Sequence, residues 1–157
     1  MQQKTGQQIS VRLARPDEAA LLTELAMRAK ASWGYDAAFM EQCRAELTLT
    51  ADTMDAWTVW VAEHEGRLAG MIALAAAGAS AELEDFMVEP DFQGVGVGRA
   101  LMETLLAEWR VRGVTSIGLD ADPNAEAIYR KLGFSTVGRS PSRSVPGRTL
   151  PRMVRPV

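Results

Sequence analysis

VEPDFQGVGVGRA, residues Val88–Ala100, joins an apolar extended run to an amphipathic helix and decides how the rest of the chain is read. Glu89–Pro90–Asp91 supplies a turn. Gly94, Gly96 and Gly98 then leave the backbone without Cβ atoms where a helix exposes its unpaired N–H groups. Those groups and the helix dipole favour a bound anion, most often a phosphate. Downstream, Leu101, Met102, Leu105, Leu106 and Trp109 mark one buried stripe, and Gly113 suits the position just past the helix end.

Upstream, Trp57, Val59 and Val61 alternate, Glu65–Gly66 turns, and Leu68–Ala77 resumes an extended run, which together predict a hairpin. Ala81–Val88 is the next strand. At the start, Ile9, Val11 and Leu13 alternate as a first strand, and Pro16-Asp17-Glu18 opens a helix with Leu22, Leu25, Ala26 and Ala29 on one face. Asp36 is positioned to cap a second helix carrying Phe39, Met40, Cys43 and Leu47. After the glycines come a strand over Val114–Ala121, a short helix with Ala125, Ile128, Tyr129 and Leu132 inward, and two strands at Phe134–Gly138 and Thr149–Val154. The order β-α-α-β-β-β-α-β-α-β-β predicts one layered α/β domain over residues 1–157, its mixed sheet mostly antiparallel with helices on both faces.

At 157 residues, 47% hydrophobic and 24% charged, the chain has the make-up of a soluble globular domain. No apolar run approaches the ~18–20 residues of a membrane span. The polar start has no secretory signal, and the one cysteine fits a reducing cytoplasm. One histidine and one cysteine argue against a structural zinc site, so no metal is expected. Charge is uneven: residues 1–126 hold 10 basic and 20 acidic side chains, net −10, and residues 127–157 hold 7 basic and none acidic, net +7. The basic end reads as a solvated, arginine-rich strand pair, or as a contact for a phosphate or a partner. With a pI near 5.2 and no aromatics among those arginines, nucleic acid is not an expected partner.

Two common phosphate loops do not fit. A triphosphate loop needs Lys-Ser/Thr after its last glycine, and here Arg99–Ala100 follows Gly98. The dinucleotide fingerprint Gly-x-Gly-x-x-Gly places its third glycine one residue later than Gly98. Gln93-Gly94-Val95-Gly96-Val97-Gly98 instead resembles the acyl-coenzyme A loop of the GNAT superfamily of N-acetyltransferases. Phe86–Phe92 resembles the strand before it, and Asn124–Phe134 resembles the family's second diagnostic segment. The resemblance spans about Ile9–Val154 and is strongest over Leu83–Phe134.

That resemblance implies a GNAT-like acyl-CoA N-acyltransferase fold and transfer of the acetyl group of acetyl-CoA to a primary amine within a ternary complex. It implies that Gln93, Gly94, Val95, Gly96, Val97, Gly98, Arg99 and Ala100 hold the pyrophosphate, that Phe86, Met87 and Val88 face the pantetheine arm, and that Asn124 also contacts the coenzyme. Tyr129 matches the family's acid for the leaving thiol. Trp33 and Tyr35 fall where relatives build a wall over the acceptor, and dimerisation through the C-terminal strands is common among them. A base in many relatives lies on the strand before the loop, where Glu82 matches and Glu84 is one step nearer the thioester. By strand alternation Glu82 and Glu84 share a face with Phe86 and Val88, and Asp85 points the other way. Glu82, Glu84, Asp85, Glu89 and Asp91 together predict a cationic acceptor. The alternatives are a catalytically silent acyl-CoA-binding module on the same fold and a nucleotide-binding oxidoreductase domain. His64, beside a turn, is expected at the surface, and Cys43 in the core.

Overall fold

In the computed structural model, which describes residues 8–157, the chain runs β1 (Ile9–Leu13), α1 (Ala19–Ala31), α2 (Ala37–Leu47), α3 (Ala51–Ala56), β2 (Thr58–His64), β3 (Arg67–Ala77), β4 (Ser80–Val88), α4 (Val97–Val111), β5 (Ser116–Asp120), α5 (Glu126–Lys131), β6 (Ser135–Pro141) and β7 (Thr149–Pro156). The predicted order holds, with α3 added. That helix buries no residue, so no apolar stripe announced it, and its start depends on Thr50 accepting a hydrogen bond from the Thr53 amide. Asp36 caps α2 as expected, accepting from the Phe39 amide at 2.8 Å.

The seven strands lie in the order β1-β2-β3-β4-β5-β7-β6. Every neighbouring pair is antiparallel except β4 with β5. On one face α4 sets Val97, Leu101, Met102, Leu105 and Trp109 against Ala62, Ala69, Ile72, Ile117 and Leu119, with Tyr129 of α5 in the same cluster. On the other, Leu22 and Leu25 of α1 cover Val59, Val61, Met71 and Ala73. Each fully buried Leu or Met contributes roughly 1.5–3 kcal/mol, which makes these stripes the main force holding helix to sheet.

Two departures from the expected pattern affect the site. Leu74 pairs with Leu83 and Ala73 with Asp85, so Glu84 is an extra residue in β4, a β-bulge. The bulge resets the alternation. Ala81, Leu83, Phe86 and Val88 face α4, whereas Asp85 and Met87 lie opposite Ala73 and Met71 on the α1 side. The expected common face for Glu82, Glu84, Phe86 and Val88 is therefore corrected. His64 is also not a surface residue. It is buried against Phe92, edge to face at 5.3 Å, with Nδ1 3.3 Å from the Gln8 carbonyl oxygen, because it pairs with Ile9 at the end of β2.

Candidate active site

β4 and β5 pair only through Ser80–Ser116, Ala81–Ile117 and Glu82–Gly118, and then part. The cleft so opened holds a cavity of about 480 Å³. Its walls come from β4 residues 83–88, the glycine loop, α5, the α1–α2 side and the 142–150 segment. Beyond Glu82, the β4 edge turned to the cleft has no neighbouring strand among the described residues, so its main-chain groups are open to an extended ligand.

At one end of the cavity stands the glycine loop. Gly94 and Gly96 have φ of +83° and +95°, left-handed values that side chains resist. Gly96 is the residue before α4, and the first helical amide with an internal acceptor is that of Ala100, bonded to the Gly96 carbonyl at 3.0 Å. Among the described residues the amides of Val97, Gly98 and Arg99 therefore have no backbone partner, and they stand at the positive end of a 15-residue helix. A Cβ on Gly98 would lie 3.4 Å from Phe86 Cζ, so the missing side chain lets the helix start close on β4. An anion with an extended arm fits this geometry: the anion at the amides, the arm along Phe86–Val88. Asn124 lies further off, its side-chain amide donating to Tyr35 Oη and Asp122 Oδ1, both at 3.0 Å.

Midway lies Tyr129, buried beneath Phe86 and Phe134 with ring centroids 6.0 and 5.6 Å away. Its hydroxyl has no hydrogen-bond partner among the described residues and lines the cavity. Burial, with the charges of Asp85 and Asp122, raises its pKa, so the hydroxyl keeps its proton.

The carboxylates are sorted by the bulge. Asp85 is 7% exposed, lines the cavity and has no hydrogen-bond or ion-pair partner among the described residues. Burial, reinforced by the charges of Glu84 and Glu46, pushes its pKa up to about 8. Glu84 lines the same cavity with its pKa also raised by burial, although Arg143, 3.4 Å away, opposes the shift. Glu82 does not line the cavity. Arg152 grips both its oxygens at 2.5 and 2.9 Å. The resemblance implies Glu82 and Glu84 as base candidates; the bulge sets Glu84 and Asp85, and not Glu82, against the cavity.

Of the two aromatic residues expected on the acceptor wall, Trp33 lines the cavity and Tyr35 stands behind it. Tyr35 donates to Asp122 and accepts from Arg148 Nη2 at 2.8 Å, while its ring stacks on Phe39 at 4.1 Å. Lys30 Nζ reaches Asp122 at 2.9 Å. Burial works against the charge on Asp122, but the Lys30 hydrogen bond and charge outweigh it and hold the pKa low. Cys43 is buried beside the cavity, and desolvation raises its thiol pKa, which suits a core cysteine.

The basic C-terminal segment also finds its partners inside the molecule. Arg143 reaches Glu46 and Glu84, Arg148 reaches Tyr35, and Arg152 reaches Glu82 and Asp120. Arg155 donates to the Leu132 carbonyl at 2.6 Å. The charge asymmetry along the chain is thus largely neutralised across the sheet.

Solved structures that align with this chain include N-acetyltransferases. The PaiA N-acetyltransferase of Thermoplasma acidophilum, solved with coenzyme A, aligns with 96% of this chain and 99% of its own at a TM-score of 0.79 and 16% identity. The ribosomal-protein-S18-alanine N-acetyltransferase of Escherichia coli aligns with 95% of this chain and 94% of its own at 0.71 and 20%. At those identities the likeness defines the fold. The family model for the acetyltransferase (GNAT) domain matches residues 15–154, and the chain belongs to that family. Among curated relatives, serotonin N-acetyltransferase 2, chloroplastic, of Oryza sativa subsp. japonica is 42% identical over 82 residues, 49% of this chain and 41% of that protein. The uncharacterized N-acetyltransferase ycf52 of Porphyra purpurea is 40% identical over 57 residues, 36% of this chain and 33% of that protein. The matched segments thus span less than half of these relatives. No helix among the described residues is long and apolar enough to cross a membrane.

Proposed function

We propose that this chain is an acetyl-CoA-dependent N-acetyltransferase that acts on a primary amine by direct attack in a ternary complex. When bound, acetyl-CoA supplies the thioester whose acyl carbon the amine attacks. The free amides of Val97, Gly98 and Arg99 hold the pyrophosphate, and the open edge of β4 at Phe86–Val88 orients the pantetheine arm. One observation carries the reading: two unpartnered polar groups, Tyr129 Oη and the Asp85 carboxyl, line the same cavity as the glycine loop.

An alkyl ammonium has a pKa of ~10.4 and must lose a proton before it attacks. Asp85, ionised above its raised pKa, takes that proton, with Glu84 beside it to attract the cation. The nitrogen–carbon bond then forms and the carbon–sulfur bond breaks. Tyr129 donates its hydrogen toward the departing sulfur. Of the two protons the ammonium loses, one leaves through Asp85, and the other, released from nitrogen as the amide forms, restores the Tyr129 hydroxyl.

The test is release of free thiol from acetyl-CoA across an amine panel, with thermal shift by acetyl-CoA, CoA, NAD and ATP in parallel. Thiol release that depends on the amine, and stabilisation by CoA compounds, are the expected results. Stabilisation by acetyl-CoA with no release from any amine would favour the silent binding module instead.

A further inference from the structure

Glu46 of α2 and Glu84 of the bulge both line the cavity and, beside it, a side pocket of about 50 Å³. Four carboxylates from three elements line that pocket: Glu46 of α2, Glu82 and Glu84 of β4, and Asp120 of β5. Two arginines answer them in different ways. Arg152 holds Glu82 at 2.5 and 2.9 Å and Asp120 at 3.3 Å, with only a third of its side chain exposed. Arg143 reaches Glu46 and Glu84 only at 3.4 Å each, and its side chain is 69% exposed. An ion pair that long and that wet contributes little to stability. Arg143 comes from the loop between β6 and β7, where Ser144 also hydrogen-bonds Glu46.

Glu46 and Glu84 are therefore a cation site whose present occupant is a loosely held side chain. A second observation points to a ligand at the same end. Asp85, next in sequence to Glu84, is nine-tenths buried, aimed into the cavity and without a partner among the described residues. The groups facing it are Glu84, Glu46, Arg143 and Tyr129. Asp85, Glu84 and Glu46 thus line one cavity, Asp85 without a partner among the described residues and the other two held only by Arg143 and Ser144.

We propose that the acceptor carries two cationic groups: the amine to be acetylated lies at Asp85, and a second ammonium or guanidinium displaces Arg143 from Glu46 and Glu84. The proposal rests on the acetyltransferase reading and adds its substrate class. The exchange replaces one cation with another, so it leaves the pocket's charge unchanged while freeing Arg143 to solvent. A monoamine of the same length leaves Arg143 in place and gains no second contact. An acceptor with an anionic tail meets Glu46 and Glu84 and is repelled.

Thiol release from acetyl-CoA is measured for diaminobutane, guanidinobutylamine, butylamine and aminobutanol with the full chain. The expected kcat/KM for diaminobutane or guanidinobutylamine is at least about tenfold above that for butylamine and aminobutanol, and the two dications distinguish an ammonium from a guanidinium tail. Glu46→Gln should bring this ratio toward one. Arg143→Gln should lower KM for the dications relative to the monoamines. Equal kcat/KM across the four amines, or a ratio indifferent to both substitutions, overturns the two-cation proposal while leaving the acetyltransferase reading in place. No release from any amine overturns both.

Discussion

Leu83 and Asp85, two residues apart on one strand, face opposite sides of the sheet. Leu83 lies opposite Leu74 on the α4 side and Asp85 opposite Ala73 on the α1 side, with Glu84 between them unpaired. In a regular strand residues i and i+2 share a face. The inserted Glu84 breaks that rule once, at the point where β4 begins to part from β5. It thereby delivers two consecutive carboxylates to one cavity and turns Phe86 and Val88 toward the helix that carries the glycine loop.

Asp85 titrates near pH 8 on this reading. The kcat/KM profile should rise through about pH 8, and Asp85→Asn should cost on the order of 10²–10⁴-fold in turnover, the range of general base catalysis. A profile from stopped-flow or plate-based thiol detection checks both. Turnover by the variant within a factor of two of the parent would remove Asp85 from the mechanism.

The same group makes a separate stability prediction. A carboxyl whose folded pKa lies above its unfolded value of 3.8 binds its proton more tightly when folded, so wild-type stability falls as pH rises from about 4 to 8. Asp85→Asn lacks that loss. Denaturant melts of the two proteins should coincide below about pH 4, diverge in favour of the variant up to pH 8, and run parallel above it.

Tyr129 is buried with its hydroxyl free, so Tyr129→Phe removes one donor and little packing. Turnover should drop by one to two orders of magnitude, while calorimetric affinity for CoA changes less than about twofold. A loss confined to CoA affinity would reassign the tyrosine to binding.

Gly96, at φ +95°, and Gly98, facing Phe86 at 3.4 Å, fail differently when substituted. Gly96→Ala forces a side chain into the left-handed region and should lower stability by about 1–2 kcal/mol. Gly98→Val sits in helical backbone but crowds Phe86 and the anion end. It should raise KM for acetyl-CoA at least about tenfold with a smaller change in melting temperature, which thermal shift and steady-state kinetics separate.

Glu18, almost wholly buried, accepts from Arg12 at 2.8 and 3.1 Å and from the Arg15 amide at 2.7 Å. The Arg12 hydrogen bonds outweigh desolvation and lower its pKa from 4.5 to about 2. Its stabilisation is present above pH 4.5 and lost as pH falls toward 2. Glu18→Gln should be destabilised at pH 7 and show a flatter stability profile between pH 4.5 and 2 by urea titration.

The chain's own order of residues determined the elements and the donor end of the site. Alternation, capping and apolar spacing are local, and a glycine loop opening an amphipathic helix carries its meaning within thirteen residues. The apolar spacing of Ala125, Ile128, Tyr129 and Leu132 is local in the same way, and it marked the short helix that carries Tyr129. Only the tertiary structure decided which carboxylate enters the cavity, because a bulge is a mismatch of register between two strands and neither strand's sequence records it. Strand pairing also buried His64 beside Phe92, and chain reversal at the β6–β7 loop brought Arg143 onto Glu84, Arg148 onto Tyr35 and Arg152 onto Glu82, which lie 59, 113 and 70 positions away. Contacts between residues distant in sequence depend on how the sheet is assembled, so the acceptor end of the cleft came into view with the fold.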